Sequence, residues 1–326
     1  MSGGRITRRR LLAGATATFA TAGAAWAEAE KLPRAKGPPV WLDLDQEALD
    51  DVYSHAVHAP NMQQILRRLA RNSELVRERI GEPKRLTYGT APAETMDLYA
   101  AASAPAPINL FIHGGDWRGG SARDYGFAAE MIVRAGVHFA VPDFSTLQDA
   151  GGDLRVLADQ LRRAVIWLYK NAQTFGGDPE RIYVSGHSSG AHLAAVLLTT
   201  DWVKTLDVPP DIIKGGVCAS GIYELRPLRL SRHAEGMRFT DEIEQALSPQ
   251  RHLEKLVAPL VVIYGTAESP ELQRQSRHFA AAAQTAGRNV SLVVMEGYNH
   301  FEVLEQLGNP LGLFGRSVLQ QMKLAP

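Results

Sequence analysis

From Lys84 onward the chain alternates between short apolar runs that read as strands and longer stretches with helical spacing, and this alternation restricts the fold more than any other feature. "KRLTYG" and "ETMDLYAA" read as two strands joined by a turn, an antiparallel start. "PINLFIHGG" is a continuous apolar run ending in glycines, the texture of a strand buried on both faces. "YGFAAEMIVRAG" reads as a helix closed by Gly136, and "VHFAVPDF" as the next strand. "DLRVLADQLRRAVIWLYKNAQTFG" is a long amphipathic helix with Leu154, Val156, Leu157, Leu161 and Val165 assigned to one side. "RIYVSG", "IKGGVCASGI", "PLVVIYG" and "VSLVVMEG" are further strands. The helices "SGAHLAAVLLTT", "PELQRQSRHFAAAAQTAG" and "FEVLEQLGNPLGLFGRSVLQQM" are set among them. Residues 224–255 are irregular and more charged, and read as a cap-like insertion. Such alternation predicts an α/β fold, a mostly parallel central sheet with helices on both faces. In such sheets ligands gather at the carboxyl ends of the strands.

The N-terminal part has a different texture. Arg8, Arg9 and Arg10 precede Leu11-Leu12 and a weakly apolar Ala/Thr/Gly run that ends in Ala25-Trp26-Ala27. Basic region, apolar region and small-x-small site come in the order of an export signal of twin-arginine type over residues 1–27. That order implies a periplasmic or secreted protein. The run is too short and too often interrupted by Thr and Gly for a stable membrane span. Residues 28–40 read as a linker, and residues 41–326 as a single domain. Asp45 stands as an N-cap before Ala48, Leu49, Val52 and Tyr53, and a second helical stretch stops at Gly81. This helical extension is placed to cover a site. Without residues 1–27 the chain carries 31 basic and 35 acidic residues. That balance offers no field for nucleic acid. Cys218 is the single cysteine, so an intrachain disulfide is excluded and a Cys-based metal site has no support. Oligomeric state is not legible.

Chemistry is concentrated at strand ends. "G-H-S-S-G", Gly186 to Gly190, matches G-x-S-x-G at the junction of a strand and a helix. A sharp turn there throws the central Ser188 out above the sheet, and the Ser189 N–H faces the same point. Serine needs a base and the base an orienting acid, in chain order serine, acid, histidine. Glu268 follows "PLVVIYG" and His300 follows "VSLVVMEG", each just past a strand end. The rival acid, Glu271, would lie in the first turn of a helix, where it only complements the dipole. Gly114 and Gly115, after "PINLFIH", can present N–H groups to an oxyanion, with His113 anchoring that loop. His187 and His192 read as packing or loop-bonding residues. His138, His233, His252 and His278 lie in contexts that do not meet Ser188, and His55 and His58 lack a third ligand, so no metal site is expected. No cofactor is implied.

These residues resemble the α/β-hydrolase family, and within it the kynurenine formamidase-like group beside the HGG esterases. The likeness runs from about Leu42 to the C-terminus and rests on "LDQEALDDVYS", "HGGDW", "GHSSGAHLAA", "SGIYEL", "GTAESPELQRQS" and "YNHFEVLEQL". It implies an α/β-hydrolase fold with a helical N-terminal extension and a small partial cap. Ser188, Glu268 and His300 would be its catalytic triad, and Gly114, Gly115 and Ser189 its oxyanion donors. Asp116, Trp117 and Tyr223 are candidates to line the substrate pocket. Glu268 stands where the group usually has aspartate, and Asp116 where the formamidase proper tends to have an aromatic. The implied activity is a metal-free serine hydrolase acting on small carboxylic esters or aryl formamides through an acyl-enzyme. A strict arylformamidase and a catalytically silent hydrolase-fold binding protein are the alternatives.

Overall fold

The computed structural model describes Met1, residues 36–203 and residues 208–324. The chain divides into two compact units, Met1–Lys36 and Gly37–Pro326. Residues 1–27, read above as an export signal, lie almost wholly outside the described residues. In the second unit β1 (Lys84–Thr87), β2 (Thr95–Tyr99), β3 (Ala106–Ile112), β4 (His138–Pro142), β5 (Gly177–His187), β6 (Gly216–Ala219), β7 (Leu260–Gly265) and β8 (Val290–Met295) form a single sheet. Its order is β1-β2-β4-β3-β5-β6-β7-β8. The pairs β1–β2 and β2–β4 are antiparallel and all others parallel. The antiparallel start and the parallel remainder match the reading of the apolar runs.

Alternate strand residues enter opposite cores, as a period of two requires. Ile108, Leu110 and Ile112 of β3 join one cluster, while Phe111 joins the other. The first core is closed by α5 (Leu154–Asn171), α6 (Ser189–Leu198) and the helix Pro270–Thr285, through Leu157, Leu161, Leu193 and Phe279. The second is closed by α3 (Met62–Ile80), α4 (Ala129–Arg134) and the helix Leu313–Gln321, through Ile65, Leu69, Ile132 and Phe314.

The N-terminal helices form as expected. α1 (Gln46–Asp51) is capped by Asp45, whose side chain accepts from Ala48 N–H, and α3 stops at Gly81 with φ 93°. Between them lies the single turn α2 (His55–His58). Three readings are corrected. Val156 is exposed, because it stands two residues, about 200° of helical rotation, from Leu154 and so faces away from the buried arc. Residues 125–128, read above as the start of a helix, belong instead to a 3₁₀ segment, Ala122–Ala128. There the carbonyls of Arg123 and Asp124 accept hydrogen bonds from Arg77 and Ser73 of α3, which draws them outward. Residues 224–255 are not irregular throughout: they contain the short helices Arg226–Leu230 and Asp241–Leu247. No described helix is long and apolar enough to cross a membrane.

Candidate active site

The parallel registers bring the strand ends level. Ile112 of β3 pairs with Gly186 of β5, His187 with Ala219 of β6, and Gly265 of β7 with Met295 of β8. Each chemistry-bearing loop therefore leaves the sheet along one edge. Ser188 sits between β5 and α6 with φ 58° and ψ −127°, a conformation that L-residues adopt only under constraint. Two glycines make the turn feasible. A Cβ on Gly186 would lie 2.4 Å from the Gly190 carbonyl oxygen, and one on Gly190 would lie 2.1 Å from that of Ile112. The Ser188 N–H donates to the Ala219 carbonyl at 3.0 Å, tying the turn to β6.

His300 opens the helix His300–Glu305 just past β8, and its Nε2 lies 2.8 Å from Ser188 Oγ. Its Nδ1 lies 3.3 Å from Glu268 Oε2. The other carboxylate oxygen of Glu268 accepts from Ser220 Oγ–H at 2.6 Å and from Gly265 N–H at 2.7 Å, which orients the group toward the imidazole. All three side chains are nearly buried, where such contacts are least screened. The histidine is held by more than its acid. Asn299 and Glu302 form a capping box beneath it, and Asn61, just before α3, hydrogen-bonds both of them. Glu271 lies in the first turn of its helix and makes a bidentate pair with Arg274, apart from the imidazole.

The loop after β3 runs beside the serine. A Cβ on Gly114 would stand 3.2 Å from Ser188 Cβ, and Gly115 has φ 123° with Gly119 packed against it. Gly114 and Gly115 thus belong where a bulkier residue would displace the loop, and Ser189 begins α6 on the other side of Ser188. His113 is clasped by Tyr125 and Phe144, with ring centroids 5.1 and 4.6 Å away. The pocket residues divide. Asp116 lines the cavity at Ser188, but Trp117 and Tyr223 are buried in the core and do not. Positive φ at both Asp116 and Trp117 turns the indole inward, where its Nε1–H donates to His192 Nδ1 at 3.2 Å. Tyr223 stacks on Phe279, centroids 4.2 Å apart, with its hydroxyl donating to the Cys218 carbonyl at 3.3 Å.

A cavity of about 460 Å³ opens at Ser188. Its walls are largely apolar: Met62, Leu66 and Leu69 of α3, with Tyr125, Phe301 and Leu304. The helical extension therefore does cover the site. A narrow second chamber, lined by Tyr53, Ile222, Leu272 and His300, meets the cavity at Ser188, His55 and Asp116.

Two residues of the second chamber escaped the sequence reading, and both are histidines. His55 stacks on the His300 ring at 5.1 Å, and His233 reaches the same chamber, contrary to its expected separation from Ser188. Asp116 joins them, with contacts of 3.3 Å to His55 Nε2 and 3.7 Å to His233 Nε2. Burial pushes the Asp116 carboxyl up, but the close approach of His233 and His55 outweighs it and holds the group well below the usual carboxylate range. Among the described residues no cluster of His, Cys, Asp or Glu is arranged to hold a metal. His187 and His192 serve as bonding residues: His187 Nε2 lies 2.8 Å from the His300 carbonyl, and His192 Nε2 lies 2.8 Å from that of Leu247. Burial, assisted by the adjacent His300 ring, holds His187 well below its ordinary pKa, and burial lowers His192 to about 4.

Known proteins are similar to this chain in sequence and in fold. The family described as BD-FAE matches residues 96–214. A kynurenine formamidase of Danio rerio is 31% identical over 280 residues, covering 82% of this chain and 93% of the relative. An isoprenylcysteine alpha-carbonyl methylesterase of Arabidopsis thaliana is 25% identical over 244 residues, covering 68% and 57%. Among solved structures, a candidate thioesterase from a Silicibacter species superposes with TM-score 0.70 at 24% identity, over 81% of this chain and 95% of that one. An esterase from Thermogutta terrifontis does so with TM-score 0.57 at 21% identity, over 75% and 91%.

Proposed function

The chain belongs to the kynurenine formamidase-like group of the α/β-hydrolase family and is a hydrolase of esters or formamides, and from that premise we propose that it works through an acyl-enzyme on Ser188, with His300 as base and Glu268 as orienting acid. The observation that carries this is the continuous line from Ser188 Oγ to His300 Nε2 at 2.8 Å and from His300 Nδ1 to Glu268 Oε2 at 3.3 Å. In the proposed cycle His300 Nε2 takes the hydroxyl proton as Ser188 Oγ bonds to the carbonyl carbon. Glu268 accepts the Nδ1–H and so selects the productive tautomer. The carbonyl oxygen, now negative, is met by the N–H groups of Gly114, Gly115 and Ser189. His300 then gives its proton to the leaving alcohol or amine, the C–O or C–N bond breaks, and water repeats the sequence on the acyl-enzyme.

The apolar cavity and the acceptance of both substrate kinds among relatives favour small esters together with aryl formamides. The identity to the Danio rerio kynurenine formamidase favours the narrower arylformamidase reading. Turnover of N-formylkynurenine against p-nitrophenyl acetate separates them. Export by residues 1–27 is part of the proposal, and cell fractionation tests it. A fluorophosphonate should label the protein and not its Ser188→Ala variant. Equal labelling of both would reject the serine assignment.

A further inference from the structure

We propose that Asp116 is a recognition point for a cationic group on the leaving side of the substrate. This deepens the hydrolase reading above and rests on it. Asp116 follows the loop of the oxyanion donors directly, and its carboxylate lines both the large cavity and the narrow chamber at their junction on Ser188. In the chamber it is the single carboxylate among the described lining residues. The side of the substrate is fixed by chemistry. His300 must hand its proton to the departing atom, so the leaving group lies toward that imidazole. Asp116 touches His55, and the His55 ring lies flat on His300, 5.1 Å between centroids and 22° between planes. The carboxylate therefore borders the leaving group's path.

It also has capacity to spare. Its contacts to the two histidines are 3.3 to 3.7 Å, longer than well-formed charge-assisted hydrogen bonds, and a carboxylate has about four lone-pair sites. The histidines hold it in place while 28% of the side chain stays accessible. The chamber beside it mixes apolar walls, Tyr53, Ile222 and Leu272, with the imidazoles of His55, His58, His233 and His300. The chamber, about 20 Å³, has room for little more than a water molecule, so a positive group held by Asp116 lies on the large-cavity side of the junction, where attraction to the carboxylate is only partly screened. The other charged residues of the cavity, Arg67 and Asp124, are exposed at its rim.

The test compares kcat/KM for the acetate esters of choline and of its uncharged carbon isostere, in the wild type and in Asp116→Asn. Asparagine keeps the shape and tolerates the positive φ of 54° at this position. The wild type should prefer the choline ester by about tenfold, as a partly screened attraction between opposite charges without a hydrogen bond would give, and Asp116→Asn should lose most of that preference. Equal kcat/KM for the two esters in the wild type, or an undiminished preference in Asp116→Asn, would overturn the subsite. Fluorophosphonate labelling of the same samples separates the two levels. Labelled enzyme without charge discrimination refutes the subsite alone, whereas unlabelled enzyme refutes the hydrolase mechanism and the subsite together.

Discussion

Gly190 lies two residues from the proposed nucleophile, and adding one methyl group there tests whether the turn is as tightly set as its coordinates imply. A Cβ on Gly190 would stand 2.1 Å from the Ile112 carbonyl oxygen and 2.5 Å from that of His113, whereas ordinary contact begins near 3.4 Å. Both obstacles are backbone, so no side-chain rotation relieves them. The start of α6 and the end of β3 must part by about 1 Å. That gap opens beside Ser188 and the Gly114–Gly115 loop, where even a methyl group on Gly114 would stand only 3.2 Å from Ser188 Cβ. Overpacking of this kind costs about 1–3 kcal/mol of stability. A displacement of about 1 Å between reacting groups can cost about a hundredfold in rate. Gly190→Ala should therefore lose about a hundredfold in kcat/KM for a small acetate ester, with a lower urea midpoint and slower fluorophosphonate labelling. Activity within about twofold of wild type, at an unchanged midpoint, would show that the turn has slack and that the argument from close approach is wrong.

Three further outcomes follow from the same geometry. Ser188→Ala should abolish ester turnover while Ser189→Ala largely spares it, since the backbone N–H of residue 189 survives; a reversed pattern in steady-state kinetics would assign the wrong serine. Glu268→Gln should lower kcat by roughly 10³–10⁴-fold with little change in KM, because the amide can hold the imidazole in the wrong tautomer; a loss under tenfold would remove Glu268 from the triad. Stability should fall as the medium is acidified below about pH 6.5. His187, His192 and His113 are held neutral by burial, so between the ordinary value and the lowered ones, about 4 for His192, the unfolded chain binds more protons than the folded one. Each contributes up to about 1.4 kcal/mol per pH unit in that window, and urea midpoints that stay flat from neutral pH down to pH ~5 would contradict the assignment.

Much of the site is legible in the sequence because its members sit at the ends of strands, and strands announce themselves by apolar runs. Ser188, Glu268 and His300 each follow such a run, so order along the chain translates into position on one edge of the sheet. The junction around Asp116 is different. His55 and Asp116 are 61 residues apart, and their meeting depends on how α2 is laid over the sheet, which no local pattern encodes. The spacing of His55 and His58 assigns neither a partner; the ring of His55 stacks on His300, the first residue of a helix more than two hundred positions further on. Trp117 and Tyr223 were placed in the pocket because they are large and near the right loops. Whether a side chain turns toward the cavity or the core depends on backbone angles such as the positive φ of Trp117, and those are invisible at the level of residue type. The 3₁₀ segment at residues 122–128 likewise arises from hydrogen bonds with α3, a tertiary cause.

The proposed reaction is covalent, with the acyl group passing through Ser188. Quenching the enzyme in acid during turnover of p-nitrophenyl acetate, then mapping peptides by mass spectrometry, tests it directly. One acetyl group is expected on the peptide that contains Ser188, and none on that peptide in Ser188→Ala. Acetylation located at another residue, or hydrolysis that continues at the wild-type rate in Ser188→Ala, would contradict it.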